Sequence, residues 1–215
     1  MKSKALGILF LLAISITGNT QNIKINMGVS YSSFLGRKDA AMFKKLYKPK
    51  LGTYVSGAVK ILGKNKLSLW SGLSFISNGF RTEVNGGTYS SKETINLNYF
   101  NIPINLRADI PIGTNKLYGQ VGLYGGLAVF GNSLLKSNGN KQRTSVRIGG
   151  ENGFQRFDYG LNSAIGMQIG KLDIQLNYLH GLADVSVGKN KKDDFILNNQ
   201  SLRFSVGYYF GRSKS

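Results

Sequence analysis

Residues 172–178 read LDIQLNY, with Leu172, Ile174, Leu176 and Tyr178 alternating with Asp173, Gln175 and Asn177. Strict two-residue alternation is the period of a β-strand with two unlike faces. The same pattern returns on either side of this stretch. Leu202, Phe204, Val206, Tyr208 and Phe210 alternate with Arg203, Ser205, Gly207 and Tyr209. Tyr159–Ile169 and Leu117–Val129 do likewise, and weaker versions run over Ile23–Tyr31, Thr53–Ile61 and Leu67–Phe75. Segments of roughly 10 residues exceed the usual globular strand and match a tilted strand crossing a bilayer. Lipid offers no partner to a backbone N–H or C=O, so spanning strands must close into a barrel. A soluble barrel or sandwich has the same period with its faces inverted. Here the polar parity carries Gly, Ser, Asn and Gln rather than Lys and Glu, and aromatics gather near strand ends, which favours the membrane reading.

The remaining composition agrees. The 215 residues hold 28 Lys plus Arg against 10 Asp plus Glu, a formal charge of +18, with 28 Gly, one His and no Cys. Absence of Cys excludes disulfides, Cys-ligated zinc, a thiol nucleophile and lipidation of an N-terminal Cys; no cofactor is expected. Lys2 and Lys4 precede the apolar run 5–17, which is too short to span a bilayer as a helix. Gly18 and Thr20 suit a cut before Gln21. Residues 1–20 therefore read as a cleaved signal peptide and 21–215 as a single barrel domain.

The connections set the strand number. Those at 62–66, 111–116 and 170–171 are short and turn-like, whereas 35–50, 79–92, 131–156 and 184–199 are long. Short and long alternate, so seven connections join eight strands. The expected fold is all-β: a closed eight-stranded antiparallel transmembrane β-barrel with short periplasmic turns and long extracellular loops. Strand 202–210 should close on 23–31. One segment is irregular. Ile95, Leu97 and Tyr99 share one parity, and Phe100, Ile102, Ile104 and Leu106 take the other, which predicts a bulge at Tyr99–Phe100.

The stretches NYFNIPINLR (98–107), LYGQVGLYGGLAV (117–129), DYGLNSAIGMQIG (158–170), LDIQLNYLHGLADV (172–185) and LRFSVGYYF (202–210) resemble porin-family outer-membrane β-barrel proteins. The resemblance spans nearly the whole mature chain and specifies a barrel type rather than an activity. It implies the outer membrane of a Gram-negative bacterium. It also implies that the barrel-insertion machinery reads Phe210, although Gly211–Ser215 follow that residue.

Candidate functional residues fall into two groups. Inward parity carries Lys24, Lys60, Arg107, Asp109, Asp158, Asp173 and Arg203. An eight-stranded barrel is just wide enough for side chains to fill it, so these form either a polar plug or a narrow ion or small-solute path. Lys24, Lys60, Arg107 and Asp109 should cluster at the periplasmic end. The loops carry Arg37, Lys38, Lys44, Lys45, Lys48 and Lys50, and then Lys136, Lys141, Arg143 and Arg147. Residues 39–48 fit a short basic amphipathic helix at the lipopolysaccharide boundary. The leading reading is a non-enzymatic, monomeric barrel serving envelope integrity or surface interaction, with outer-membrane lipid and lipopolysaccharide as partners and no nucleic acid. A channel is the alternative. A lipid-modifying enzyme built on His180, Asp184 and Ser186 is the third reading, without a supporting G-x-S-x-G or H-E-x-x-H motif.

Overall fold

The computed structural model describes residues 22–36, 47–64, 66–86, 89–137, 140–150, 153–186 and 196–210. The leader and the helix expected at 39–48, apart from its last two residues, lie outside them. The strands are β1 (Ile23–Gly36), β2 (Lys50–Lys64), β3 (Leu67–Gly86), β4 (Tyr89–Ile112), β5 (Asn115–Ser137), β6 (Asn140–Val146), β7 (Phe157–Ile169), β8 (Leu172–Gly181) and β9 (Leu197–Phe210). Eight of them form an antiparallel ring, β1-β2-β3-β4-β5-β7-β8-β9, closed by β9 on β1. The closing register runs from Ile23↔Phe210 to Tyr31↔Leu202, as the alternation predicts, and continues to Gly36↔Leu197.

At one end the strands turn back tightly. Lys64↔Leu67, Ile112↔Asn115 and Ile169↔Leu172 each enclose two residues, so two of these turns are shorter than the sequence suggested. Gly113 and Gly170 have φ of 58° and 57°, the left-handed conformation that a two-residue hairpin turn needs. At the other end, connections expected as loops are largely sheet. β3 and β4 stay paired up to Gly86↔Tyr89, and β5 folds back on β6 over Gly131↔Val146 to Ser137↔Asn140. Once two strands are in register, each further pair adds hydrogen bonds without a new loop closure.

Burial is inverted relative to a water-soluble protein. Met27 and Ile165 on the outer wall are 66 % and 64 % exposed, whereas Asp173 and Ser205 inside are 0 % exposed. Leu172, Ile174, Leu176, Leu202, Phe204 and Val206 all face outward, with Tyr178, Tyr208 and Phe210 on the same wall. An apolar wall around a polar interior is stable in lipid and would be costly in water.

The irregular segment is corrected. Leu97 and Tyr99 are fully buried and share the inward facing of Asn101, Asn105 and Arg107, so β4 does not change face at Tyr99–Phe100. What changes is the content of the interior. Leu97, Tyr99, Phe34, Ile76, Phe80, Phe154, Val185 and Leu197 form an apolar core at the hairpin end. A register shift does occur at Asn98/Tyr99, but the extra residue is Val129 of the facing strand β5.

Candidate functional site

The turn end of the lumen is a charge network. β8 delivers Asp173 from an inward position, and its carboxylate accepts from Lys24 Nζ of β1 at 2.9 Å and from Asn26 Nδ2 at 2.9 Å. The Tyr118 hydroxyl of β5 donates to the same carboxylate at 2.8 Å. Arg107 of β4 donates through Nε to Asp109 at 2.6 Å and through Nη1 to the Tyr209 hydroxyl. Its guanidinium stacks 3.6 Å from the Tyr118 ring centroid, in cation–π geometry. Gly166 is what admits Tyr118: a Cβ there would lie 2.3 Å from the phenol ring. The structure thus joins Lys24, Arg107, Asp109 and Asp173. Lys60 stands apart. It pairs with Trp70 beside a bulge that inserts Ile61, and it has no ion pair among the described residues.

Higher in the lumen, Arg203 donates to Asn162 Oδ1 at 2.9 Å and to Asn177 Oδ1, and lies 4.9 Å from the Tyr54 ring centroid. Asp158 is held by Tyr124 and Asn199 at 3.0 and 2.8 Å. Amides link the wall across the interior: Asn177 donates to Asn162, and Asn162 to Asn105, both at 2.8 Å. The cavity left among these groups is about 40 Å³, room for a few waters. Reasoning from charge alone overlooked Tyr118, Tyr209, Tyr124 and Trp70. The available signal was their parity, which is that of the inward Gly, Ser and Gln residues.

Lys50 requires a correction. It is 2 % exposed and points inward from the first residue of β2, donating to Asn96 Oδ1 at 2.5 Å and Ser77 Oγ at 3.2 Å, so it is not part of a loop surface. The strand begins earlier than the alternation at 53–61 indicated, and its parity carries Lys50 inside with Tyr54.

The outer face above the apolar wall holds a further group of cations. Glu83, Lys92, Lys136 and Lys141 lie in one row across β3, β4, β5 and β6, each directly opposite the next. Arg81, Thr94, Leu134 and Arg143 form the adjacent row on the same face. Glu83 pairs with Lys48 at 2.6 Å and Lys92 at 3.2 Å. Hydrogen bonds from Lys48 and then Lys92 hold its carboxyl below the ordinary glutamate value. Lys136, Lys141, Arg143 and Arg147 are exposed, and none has an ion pair among the described residues. Arg37, Lys38, Lys44 and Lys45 lie outside the described residues.

His180, Asp184 and Ser186 do not assemble a catalytic set. Asp184 Oδ1 accepts from the backbone N–H groups of Ser186 and Leu197 at 3.0 and 3.1 Å, and His180 stacks on Tyr178 at the outer rim. Phe210 lies on the outer wall at the turn end, opposite Ile23 and edge-on to Tyr208 at 4.9 Å.

The sequence model of one family, described as outer membrane protein beta-barrel domain, matches residues 15–187. No curated protein matches the chain significantly. Among solved structures, Ail of Yersinia pestis, crystallised with the heparin analogue sucrose octasulfate, is 17% identical, with 89% of this chain and 100% of that chain covered and a TM-score of 0.43. Neisserial surface protein A is 10% identical over 90% of this chain and 100% of that chain, at 0.44. OprG of Pseudomonas aeruginosa is 12% identical over 92% and 99%, at 0.43. Values this low say nothing about what the chain binds.

Proposed function

From its membership of the outer membrane protein beta-barrel domain family, we propose that this chain works as a closed, non-conducting barrel that presents a basic outer face to the phosphates of lipopolysaccharide. The observation that carries this reading is the lysine row. Lys92, Lys136 and Lys141 sit on three neighbouring strands in direct register, with Arg143 on the same face. Like charges directly opposite one another destabilise a sheet, so such a row is costly unless an anion bridges it. Glu83 serves the Lys92 end, and Lys136, Lys141 and Arg143 remain for an external anion. Lys136 lies six residues beyond the exposed Phe130 on β5, roughly 20 Å along the strand, above the apolar wall. Phosphate oxygens, bonded by several ammonium and guanidinium donors at once, suit that surface. The side chains filling the lumen support the non-conducting part of the reading.

The test uses the detergent-folded protein titrated with lipopolysaccharide and with its dephosphorylated form, at low and high salt. Binding should require the phosphates, weaken with salt, and fall at least tenfold in the Lys136→Gln/Lys141→Gln/Arg143→Gln variant. Planar bilayers containing the barrel should show no unitary conductance steps. Equal affinity for the dephosphorylated form would overturn the lipid reading, and steady unitary steps would overturn the closed one.

A further inference from the structure

Among the described residues four cationic side chains are buried, and three of them have evident compensation or a strongly polar niche. Lys24 has Asp173, Arg107 has Asp109, and Lys50 donates to two side-chain oxygens and the carbonyl of Asn78. Arg203 is different. It is 3 % exposed, its partners are two amide oxygens and the face of Tyr54, and it makes no ion pair among the described residues. Asp158, the inward carboxylate with no cation upon it, is engaged by Tyr124 and Asn199 instead. The Arg203 Nε–H is buried and meets no acceptor. A guanidinium enclosed without a counter-charge is one of the costliest arrangements a protein interior can hold.

The cavity supplies the missing half. Arg203, Tyr54, Asn101, Asn105, Gln120 and Trp70 line it, and its volume is about 40 Å³. A water needs roughly 10–15 Å³ of such space, so the cavity admits a small anion together with a water or two. Asn101 lines the cavity as well; its Oδ1 is buried and unpartnered, and turning its amide over would offer an N–H group in that place. We propose that this cavity is a binding site for one small monovalent anion of the chloride class, held by Arg203 and neutralising it. The site is independent of the outer lysine row, since none of those lysines lines the cavity.

The protein is refolded into detergent in sodium bromide and crystallised from it, and anomalous scattering locates the halide. One bromide should appear beside Arg203 and be lost in Arg203→Gln. Should that variant fail to fold, Asn101→Asp decides, because it builds a carboxylate into the cavity as an internal counter-charge. Wild-type unfolding midpoints in urea should be higher in chloride than in gluconate at equal ionic strength, and should rise with the logarithm of chloride concentration. The Asn101→Asp midpoint should not differ between the two salts, and its cavity should hold no bromide. Water alone in the wild-type cavity, or a chloride dependence equal in wild type and Asn101→Asp, would overturn the site.

Discussion

Asp173 and Glu83 are each a single carboxylate shared by several donors, one inside the barrel and one outside it. Asp173 is 0 % exposed and gathers Lys24, Asn26 and Tyr118 from two other strands. Glu83 gathers Lys48 and Lys92 on the outer face, with Arg81 at 3.9 Å, and its side chain is 22 % exposed. The partner lists are alike and the surroundings are not. Water beside Glu83 can replace any donor that leaves, whereas beside Asp173 the other acceptor that Lys24 and Asn26 share is the neutral Gln175 Oε1, at 3.1 and 3.3 Å, which cannot replace the charge. The strength of such a hub is therefore set by what would solvate its partners after the hub is gone.

The largest effect is accordingly expected for Asp173→Ala. It leaves Lys24 charged and enclosed, and it removes the acceptor of Tyr118 and the nearest of the acceptors of Asn26, a loss of about 3–5 kcal/mol. Urea unfolding in lipid vesicles, followed by the heat-dependent gel mobility of the barrel, measures it. A cost below about 1 kcal/mol would mean that the lumen admits enough water to solvate Lys24, and the contrast with Glu83 would collapse.

A smaller effect should follow when both partners are removed together. Lys24→Met/Asp173→Leu eliminates the charges while keeping bulk, and replacing a buried pair by apolar groups of similar volume is often near neutral. Tyr118 still loses its acceptor and Asn26 the nearest of its own, so a net cost under about 2 kcal/mol is expected in the same assay. A double variant as unstable as Asp173→Ala would assign the loss to the hydrogen bonds of Tyr118 and Asn26 rather than to the stranded charge.

How much of this was legible beforehand depended on whether alternation kept one meaning. Along 172–178 and 202–210 it did, because the lumen there is polar, so the apolar residues had to face lipid. Strand facing follows from that, and the closure of 202–210 on 23–31 from the cost of an open edge in lipid. Along 95–99 the meaning reversed. The interior there is apolar, so Leu97 and Tyr99 are inward, and a rule equating apolar with outward inferred a change of face that the backbone does not make. Lys50 was misread for a related reason: charge suggested a loop, while parity with Tyr54 placed it inside. The lysine row was invisible because it is a property of register between strands. No one-dimensional reading aligns Lys92, Lys136 and Lys141.

The smallest effect belongs to Glu83, and its sign is fixed by the direction of its titration. Hydrogen bonds from Lys48 and Lys92 hold the folded carboxyl below its ordinary value of 4.5. Such a group contributes stability that is fully present above the unfolded-chain value and is lost as pH falls through the lowered folded one. The wild-type unfolding midpoint should therefore drop slightly more than that of Glu83→Gln between neutral pH and the acid side of that window, and the two should differ least at the acid end. The carboxyl ¹³C resonance of Glu83 supplies the local reading: it should titrate below the ordinary glutamate value in wild type and move back toward it in Lys48→Gln/Lys92→Gln. Because water surrounds these side chains, salt should shrink the difference, as it should not for Asp173. A Glu83→Gln variant destabilised as much as Asp173→Ala would show that the outer hairpin is as tightly enclosed as the lumen, and that burial does not separate the two hubs.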